Sequence, residues 1–222
     1  QESRMIITRG KTAYYVLLAV IIGAACLLRF YQLNLRVLHH DEGVNAMYTL
    51  QLLDKGQYQY NPEKYHGPLL YYLTLIPLSV FGLNSSLIPT ANPALSDIAF
   101  RLAPALLGLA MVLLIIGLRK WLGLWGTLTA MALIALSPAH VYYSRDNIHE
   151  IYFVTFTLLT FLSGYHYFLS KKNIFIYLTL ISLAFLFTIK ETAIITTAVW
   201  ILALFATSAI CATFRTSSKI QA

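Results

Sequence analysis

The chain has 222 residues, of which 58% are hydrophobic and 11% are charged, and its formal net charge is +7. Several apolar runs are close to the ~20 residues that a helix needs to cross a bilayer, so a multi-pass membrane protein is predicted. Lys and Arg stand in short clusters between these runs, as membrane orientation requires, which argues against nucleic acid as a partner. Cys26 and Cys211 lie inside apolar runs and predict neither a disulfide nor a metal framework.

The first predicted span covers 12–30. It follows a basic N-terminal segment, which favours a cytoplasmic N-terminus and places the next stretch, His39-His40-Asp41-Glu42-Gly43, outside. Asp41 is well placed to cap an amphipathic helix over 42–54, with Gly56 as its stop. Such a helix is expected to lie in the membrane interface.

The topology depends on the stretch 68–81, which is shorter than the ~17 residues that a perpendicular span needs. It also contains Pro77. If this stretch crossed, the basic pairs Arg119-Lys120 and Lys171-Lys172 would lie outside, against the charge rule. We therefore predict an all-α membrane domain over 1–222, with about six spans and a second interfacial helix at 68–81 in the outer loop 31–97. The spans are predicted at 12–30, 98–118, 121–143, 151–169, 174–189 and 192–214.

Under this topology the polar clusters all fall at the outer ends of helices. Ionisable groups at the membrane boundary cost several kcal/mol unless they are paired or hydrated, so their gathering on one side predicts a hydrated polar cavity. The clusters are Asp41-Glu42, His66, Arg101, the run Arg145-Asp146-Asn147-Ile148-His149-Glu150, and Lys190-Glu191.

Each cluster also has a structural interpretation. Asp41 could serve only as a helix cap, and Arg101 is spaced to pair with Asp97 on a helix surface. Lys190-Glu191 could be the polar tip of a helical hairpin. The adjacent His39-His40 pair is weak evidence for a metal, because neighbouring residues rarely point to one ion.

The run 145–150 has the spacing of a helix start. Asp146 and Glu150 are four residues apart, as are Arg145 and His149, so each pair would share a face of the helix. Two like charges at that spacing repel each other. A solvated helix start therefore does not by itself explain these residues.

The acidic pair Asp41-Glu42, the amphipathic helix and the element His66-Gly67-Pro68-Leu69-Leu70-Tyr71-Tyr72 together resemble the GT-C superfamily of membrane glycosyltransferases. Three further motifs are similar to its dolichyl-phosphate-mannose protein mannosyltransferase (glycosyltransferase 39) and lipid A aminoarabinose transferase branch. The stretch His39-His40-Asp41-Glu42-Gly43 resembles archaeal and bacterial relatives described as flippase-activity-associated. The three motifs are Arg101-Leu102-Ala103-Pro104, Ser144-Arg145-Asp146 and Lys190-Glu191-Thr192.

The resemblance covers about 12–200 and has two departures. Family members are longer than this chain, which also begins at Gln1, so an N-terminal fragment is expected. The mannosyltransferases tend to have proline where this chain has Gly67, so the identity of their sugar is not carried over.

The resemblance implies transfer of a sugar from a polyprenyl-phosphate-linked donor to a hydroxyl of a protein, lipid or glycan acceptor. The anomeric carbon would be inverted, on the outer face of the cell membrane. Asp41 is the expected general base, and Glu42 is expected to position Asp41 or to pair with Arg101. The expected groups for the lipid phosphate are Arg101, Arg145, Lys190 and His66. The groups expected to orient these cations or to hold a divalent ion are Asp146, His149, Glu150, Glu191 and His40.

Two other classes of function are compatible with the same pattern. A lipid-linked sugar flippase or transporter component would use the outer charges to bind and release a head group. Inverted repeats or charges at the bilayer midplane would favour it, and the sequence shows neither. A non-catalytic membrane scaffold is the third interpretation, and an Asp41→Asn substitution distinguishes the three.

Overall fold

The computed structural model describes residues 2–59, 66–83 and 93–220, with helix side chains described only within 12–59, 66–83 and 95–211. The N-terminal basic side chains and two parts of the predicted outer loop, 60–65 and 84–92, lie outside these ranges. In the described ranges the helices are α1 (Glu2–Phe30), α2 (His40–Lys55), α3 (Leu69–Val80), α4 (Pro93–Leu114), α5 (Arg119–Leu136), α6 (Pro138–Tyr143), α7 (His149–Ser170), α8 (Asn173–Phe187) and α9 (Ala193–Ile220). A 3₁₀ turn, Ile115–Leu118, joins α4 to α5.

Among the described residues, three helical stretches are long and apolar enough to cross a membrane: Thr12–Phe30, Leu95–Leu136 and Ala193–Cys211. Helices α3 and α8 are apolar but shorter. Since the regular structure of the described residues is helical apart from one isolated β-bridge, the chain is an all-α membrane protein, as predicted. Each of the predicted spans coincides with helical structure, and the number that cross the membrane stays a prediction.

The helices place the polar clusters and the basic pairs at opposite ends of the bundle. At one end, the guanidinium of Arg119 lies over the ring of Tyr14, 5.5 Å from its centroid, and His166 Nε2 is 2.9 Å from the Gly117 carbonyl oxygen. At the other end, the guanidinium of Arg101 reaches the main chain just after α1. Consequently α1 and α5 run in one direction and α4 runs back between these ends, so Leu95–Leu136 reverses and does not form one span.

Helix α2 begins one residue before the predicted position of its cap, which corrects the capping role given to Asp41. The cap is His39, whose Nδ1 lies 3.4 Å from the Asp41 amide nitrogen. The Glu42 carboxylate accepts a hydrogen bond of 3.0 Å from the His39 amide, which completes a capping box. The predicted stop is confirmed, since Gly56 follows the last helical residue with φ +66°.

The predicted span 121–143 is broken at Ser137, because the residue before a proline is disfavoured in the helical region. Pro138 has no N–H, so it cannot bond the Ile134 carbonyl four residues back. Arg29, which is fully buried, donates hydrogen bonds to the carbonyls of Ile134 (3.2 Å) and Ala135 (3.1 Å) instead. A positive side chain at the carboxyl end of a helix also complements the helix dipole.

The element that carries His66 joins the turn between α8 and α9. The amides of Gly67 and Leu69 donate hydrogen bonds of 3.1 Å to the carbonyls of Ile189 and Thr188, respectively. His66 and Lys190 form the isolated β-bridge. A Cβ added at Gly67 would overlap the Thr188 carbonyl. The glycine in place of the family's proline therefore fits this contact, since proline would lack the amide and would add bulk.

Gly67→Ala is expected to destabilise the protein by about 1–3 kcal/mol, because the added methyl group must push the turn at Thr188 away. Gly43→Ala is the matched control. Nothing lies within 4 Å of a Cβ at Gly43, and replacing a glycine inside helix α2 should stabilise by up to ~1 kcal/mol. Thermal unfolding in detergent measures both. Equal midpoints for the two variants would contradict the close packing at Gly67.

Candidate active site

A buried ion pair between Glu42 and Arg101 forms the centre of the site. The Nε and Nη2 atoms of Arg101 donate to the two oxygens of Glu42 at 2.9 and 2.8 Å. The remaining donors reach the main-chain carbonyls of Leu33 (2.7 Å), Arg36 (2.7 Å) and Val37 (3.2 Å). A guanidinium has five N–H groups, and here all five are used. Arg101 therefore fixes the segment between α1 and α2, and its geometry leaves no donor for a lipid phosphate.

Glu42 is held ionised. Burial raises the pKa of its carboxyl, but hydrogen bonds from Arg101 and from the His39 and Asn147 amides outweigh burial and bring the pKa below its ordinary value. The amide of Asn147 lies 3.1 Å from Oε1. An ionised carboxylate with both oxygens bonded is a weak proton acceptor. The pairing of Glu42 with Arg101 agrees with the sequence expectation, and the role of Glu42 in positioning Asp41 stays a prediction.

Arg36 extends this pair to the 145–150 run. Its Nη2 donates to Glu42 Oε2 at 3.2 Å and also pairs with Asp146, while its guanidinium lies 5.2 Å from the centroid of the Tyr142 ring. The side chain of Asp146 is 2% exposed, so it faces inward to this arginine. Asp146 therefore pairs with Arg36, which is not one of the cations that it was expected to orient.

Asn147 connects helices α2, α3 and α7 to Glu42 of the buried ion pair. Its carbonyl oxygen accepts a 2.9 Å bond from Asn45 of α2, and its Oδ1 accepts a 2.8 Å bond from Tyr152 of α7. Its Nδ2 donates to Thr74 of α3 at 3.1 Å. Residues 144–148 are not helical, which corrects the face-sharing pairs expected for this run. Because the chain turns here, Asp146 and Asn147 point into the protein instead of along a helix surface.

An open cleft of about 360 Å³ is lined in part by Asp41. The Asp41 side chain is 67% exposed, and the neighbouring Asn45 is buried. The predicted site residues that line the cleft are His40, Asp41, His66, His149 and Glu150. Asp41 thus borders solvent and the cleft, whereas its neighbour Glu42 belongs to the buried ion pair.

Two contacts join cleft residues to the turn between α8 and α9, namely the Lys190–Glu150 ion pair and the approach of His66 to Glu191. Lys190 Nζ donates to Glu150 Oε1 at 3.0 Å, and His66 Nδ1 lies 3.6 Å from Glu191 Oε2. Lys190 therefore contacts Glu150 of α7, and Glu191 contacts His66 of the element before α3. This contact is more than the polar tip of a hairpin, because it joins residues from three separate parts of the chain.

Arg145 lies apart from the cleft. Its Nη1 and Nη2 donate to the carbonyls of Leu28 (2.9 Å) and Gln32 (3.0 Å), where α1 ends. Orphan carbonyls at the carboxyl end of a helix are commonly satisfied by basic side chains. Arg145 thus stabilises the end of α1, and it does not line the cleft.

His149 forms the floor of the cleft and is only 3% exposed. Burial, with further contributions from the neighbouring His66 and Lys190, lowers the pKa of His149 to about 3. Its ring centroid lies 4.4 Å from that of His66. The imidazole is consequently neutral at ordinary pH.

We expect His149 to make the folded protein sensitive to mild acid. An unfolded histidine has a pKa of about 6.5, so its stabilising contribution is complete above that pH. Below it, the unfolded chain binds the proton first, and stability falls by ~1.4 kcal/mol per pH unit until the folded pKa is reached, about 2 kcal/mol at pH 5. Thermal unfolding at pH 7.5 and 5 should show a smaller loss for His149→Gln than for the original protein. An identical pH slope in both proteins would contradict the assignment.

The described side chains offer no ready metal site. Within the described ranges, no group of three or more His, Cys, Asp and Glu side chains is placed to hold a metal ion. Of the residues expected as ligands, Asp146 pairs with Arg36, Glu150 pairs with Lys190, and His149 lies at the floor of the cleft. The question of a divalent ion therefore stays open, as it was in the sequence.

The sequence profile described as dolichyl-phosphate-mannose-protein mannosyltransferase matches residues 59–221. The chain belongs to this family. The match extends over most of the chain and includes the cleft residues His66, Tyr71, His149 and Glu150, while Asp41 and Glu42 precede it. No curated protein and no solved structure matches the chain. The mannosyltransferase-family chain is thus a membrane glycosyltransferase of the GT-C type, as its sequence motifs predicted.

Sequence reasoning missed several residues that build the site of this mannosyltransferase-family chain. Arg36 was not selected because it lies before the histidines, in a stretch with no other ionisable side chain. Asn45 and Asn147 carry no charge, and nothing in their spacing reveals that they meet. Arg29 lies inside the first predicted span, where a charged side chain is costly unless it is satisfied, and that cost is the signal that could have found it.

Proposed function

We propose that the protein transfers a sugar from a polyprenyl-phosphate-linked donor to an acceptor hydroxyl, with inversion at the anomeric carbon, on the outer face of the membrane. The observation that carries this proposal is the placement of Asp41. In a chain of the mannosyltransferase family, this exposed carboxylate lines a cleft beside a fixed ion pair. A general base must be accessible to its substrate, and Asp41 meets this condition while Glu42 does not.

The chemistry is a single displacement. Asp41 accepts the proton of the acceptor hydroxyl as the hydroxyl oxygen forms a bond to the anomeric carbon. The bond from that carbon to the phosphate oxygen breaks, and the lipid phosphate leaves with the electron pair. Attack from the face opposite the leaving group inverts the anomeric carbon. The Glu42–Arg101 pair holds the start of α2, so that Asp41 is presented at a fixed position.

Lys190 is the cation that we assign to the departing phosphate. Its partner Glu150 lines the cleft, and the Lys190 side chain is 25% exposed. His66 borders the same cleft and is the second group that we assign to the phosphate. Protein, lipid and glycan were all expected as acceptor classes. We propose a protein, because the family description names one.

A transfer assay tests the proposal. Purified protein in lipid nanodiscs is incubated with radiolabelled dolichyl phosphate mannose and a hydroxyl-bearing peptide. We expect a labelled peptide with the anomeric configuration opposite to that of the donor. A product with retained configuration would contradict the single displacement, and transport of the lipid without transfer would favour a flippase.

Sidedness can be measured separately by single-cysteine labelling with a membrane-impermeant reagent in intact cells, after both native cysteines are replaced. Cysteines at positions 41 and 191 should be labelled, because the cleft faces outward in the proposed topology. Cysteines at positions 120 and 171 lie at the opposite end of the bundle and should react only after the membrane is opened. The reverse pattern would place the cleft on the cytoplasmic side.

A further inference from the structure

Two buried ring nitrogens of cleft residues, His66 Nδ1 and His149 Nε2, have no hydrogen-bond partner among the described residues, and His149 is the more deeply buried of the two residues. No described group donates to or accepts from His149 Nε2, although His149 is 3% exposed and lines the cleft. Buried polar atoms in folded proteins are almost always hydrogen-bonded, so an unpartnered nitrogen at the bottom of an open cleft points to a group that enters from outside. The ring stands beside His66 and edge-on to Tyr71, 6.1 Å between centroids.

The chemistry of the floor selects the kind of group. A neutral imidazole nitrogen carries either a hydrogen or a lone pair, and a hydroxyl can satisfy both forms because it donates and accepts. A phosphate oxygen accepts only and is better bound by a cation, such as Lys190, which pairs with the cleft residue Glu150. Val44 and Ile148 also line the cleft and provide an apolar contact. A ring that bears both hydroxyl groups and C–H faces matches this combination.

The cleft has room for such a ring. Its volume of about 360 Å³ lies within the range of ~300–1,000 Å³ that is usual for small-molecule sites. Asp41 and Glu150 lie in the same cleft, so a ring seated on His149 would be close to the proposed base and to the partner of Lys190.

We infer that His149 binds a hydroxyl group of the transferred sugar, and that it selects a neutral, hydroxyl-bearing sugar ring over a lipid phosphate that carries no sugar. This inference rests on the proposed function and adds the binding residue for the sugar itself. His149 is a binding residue and not a proton acceptor, and its contribution is to the affinity for the sugar-bearing lipid.

The test compares two lipids on one protein. Binding of dolichyl phosphate mannose and of dolichyl phosphate is measured by titration in nanodiscs. The original protein should prefer the mannose-bearing lipid. His149→Phe keeps a ring of similar size without nitrogen, and it should weaken binding of that lipid by about three- to tenfold, as expected for one hydrogen bond, without affecting dolichyl phosphate. His149→Gln retains a hydrogen-bonding group and should recover part of the loss.

The outcomes separate the inference from the proposed function. Equal weakening of both lipids by His149→Phe, or no change with either, overturns the sugar contact while leaving the proposed transfer intact. A protein that binds neither lipid overturns both. If His149→Phe does not fold, the ¹⁵N resonances of the original protein decide: His149 Nε2 should shift with dolichyl phosphate mannose and not with dolichyl phosphate. The same shift with both lipids overturns the inference.

Discussion

The Asp41→Asn variant is expected to lose sugar transfer by about 10²- to 10⁴-fold, because an amide cannot accept the proton of the attacking hydroxyl. The rest of the protein should be unaffected. The Asp41 side chain is 67% exposed, and the ion pair of α2 involves its neighbour Glu42. Donor affinity and the unfolding midpoint should therefore stay at the values of the original protein. The measurement is the rate of transfer from dolichyl phosphate mannose at saturating donor, together with a binding titration.

Asp54→Asn is the matched control for this variant. Asp54 is an exposed aspartate near the other end of the same helix, so the charge change is identical but far along α2 from the cleft. Transfer by the control should match that of the original protein. If Asp41→Asn retained full transfer, the proposed base would be wrong, and if it lost donor binding as well, Asp41 would belong to the donor site. Partial transport without transfer would favour a flippase.

The sequence predicted the helices well because apolar runs report directly on what a membrane requires. Runs of apolar residues predicted α1, α7 and α8 to within a few residues, apart from the N-terminal extension of α1. Local rules failed where a distant contact decides. The capping position was given to Asp41, since an aspartate is a common cap, but the structure uses His39 with Glu42.

The site was predicted as a region and not as a geometry. The expected gathering of Glu42, Arg101 and Asp146 at one end is found, because helix direction alone brings them together. Which residues touch could not be derived from spacing. Arg101 was expected to meet a phosphate, Asp97 or Glu42. It pairs with Glu42, but it also bonds three carbonyls of the segment after α1, which no expectation included. Such main-chain acceptors carry no side-chain signal in a sequence, so a structural arginine and a ligand-binding arginine are indistinguishable there.

The Arg101→Met variant is expected to show the largest loss of stability, about 3–5 kcal/mol, because it leaves the carboxylate of Glu42 buried without its main partner. Arg36 also reaches Glu42 but is 43% exposed, so it can compensate only in part. Arg101→Lys should remain destabilised, since a single ammonium cannot replace five fixed N–H donors. Arg145→Met is the control. It removes the same kind of side chain from two exposed carbonyl contacts and should cost about 1 kcal/mol.

The pH dependence of that loss gives an independent test of the buried pair. In the original protein the pKa of Glu42 lies below its ordinary value, so its contribution to stability is present above that ordinary value and is lost as the pH falls through the folded pKa. In Arg101→Met, burial dominates and raises the pKa of Glu42, so the ionised form destabilises the fold at neutral pH. The difference in unfolding free energy between the two proteins should therefore shrink below about pH 4. Unfolding titrations in detergent at pH 7 and pH 4 measure it. A difference that does not change with pH would mean that Arg101 acts mainly through the carbonyls of the segment after α1, and a stable variant that has lost donor binding would restore Arg101 as a phosphate ligand.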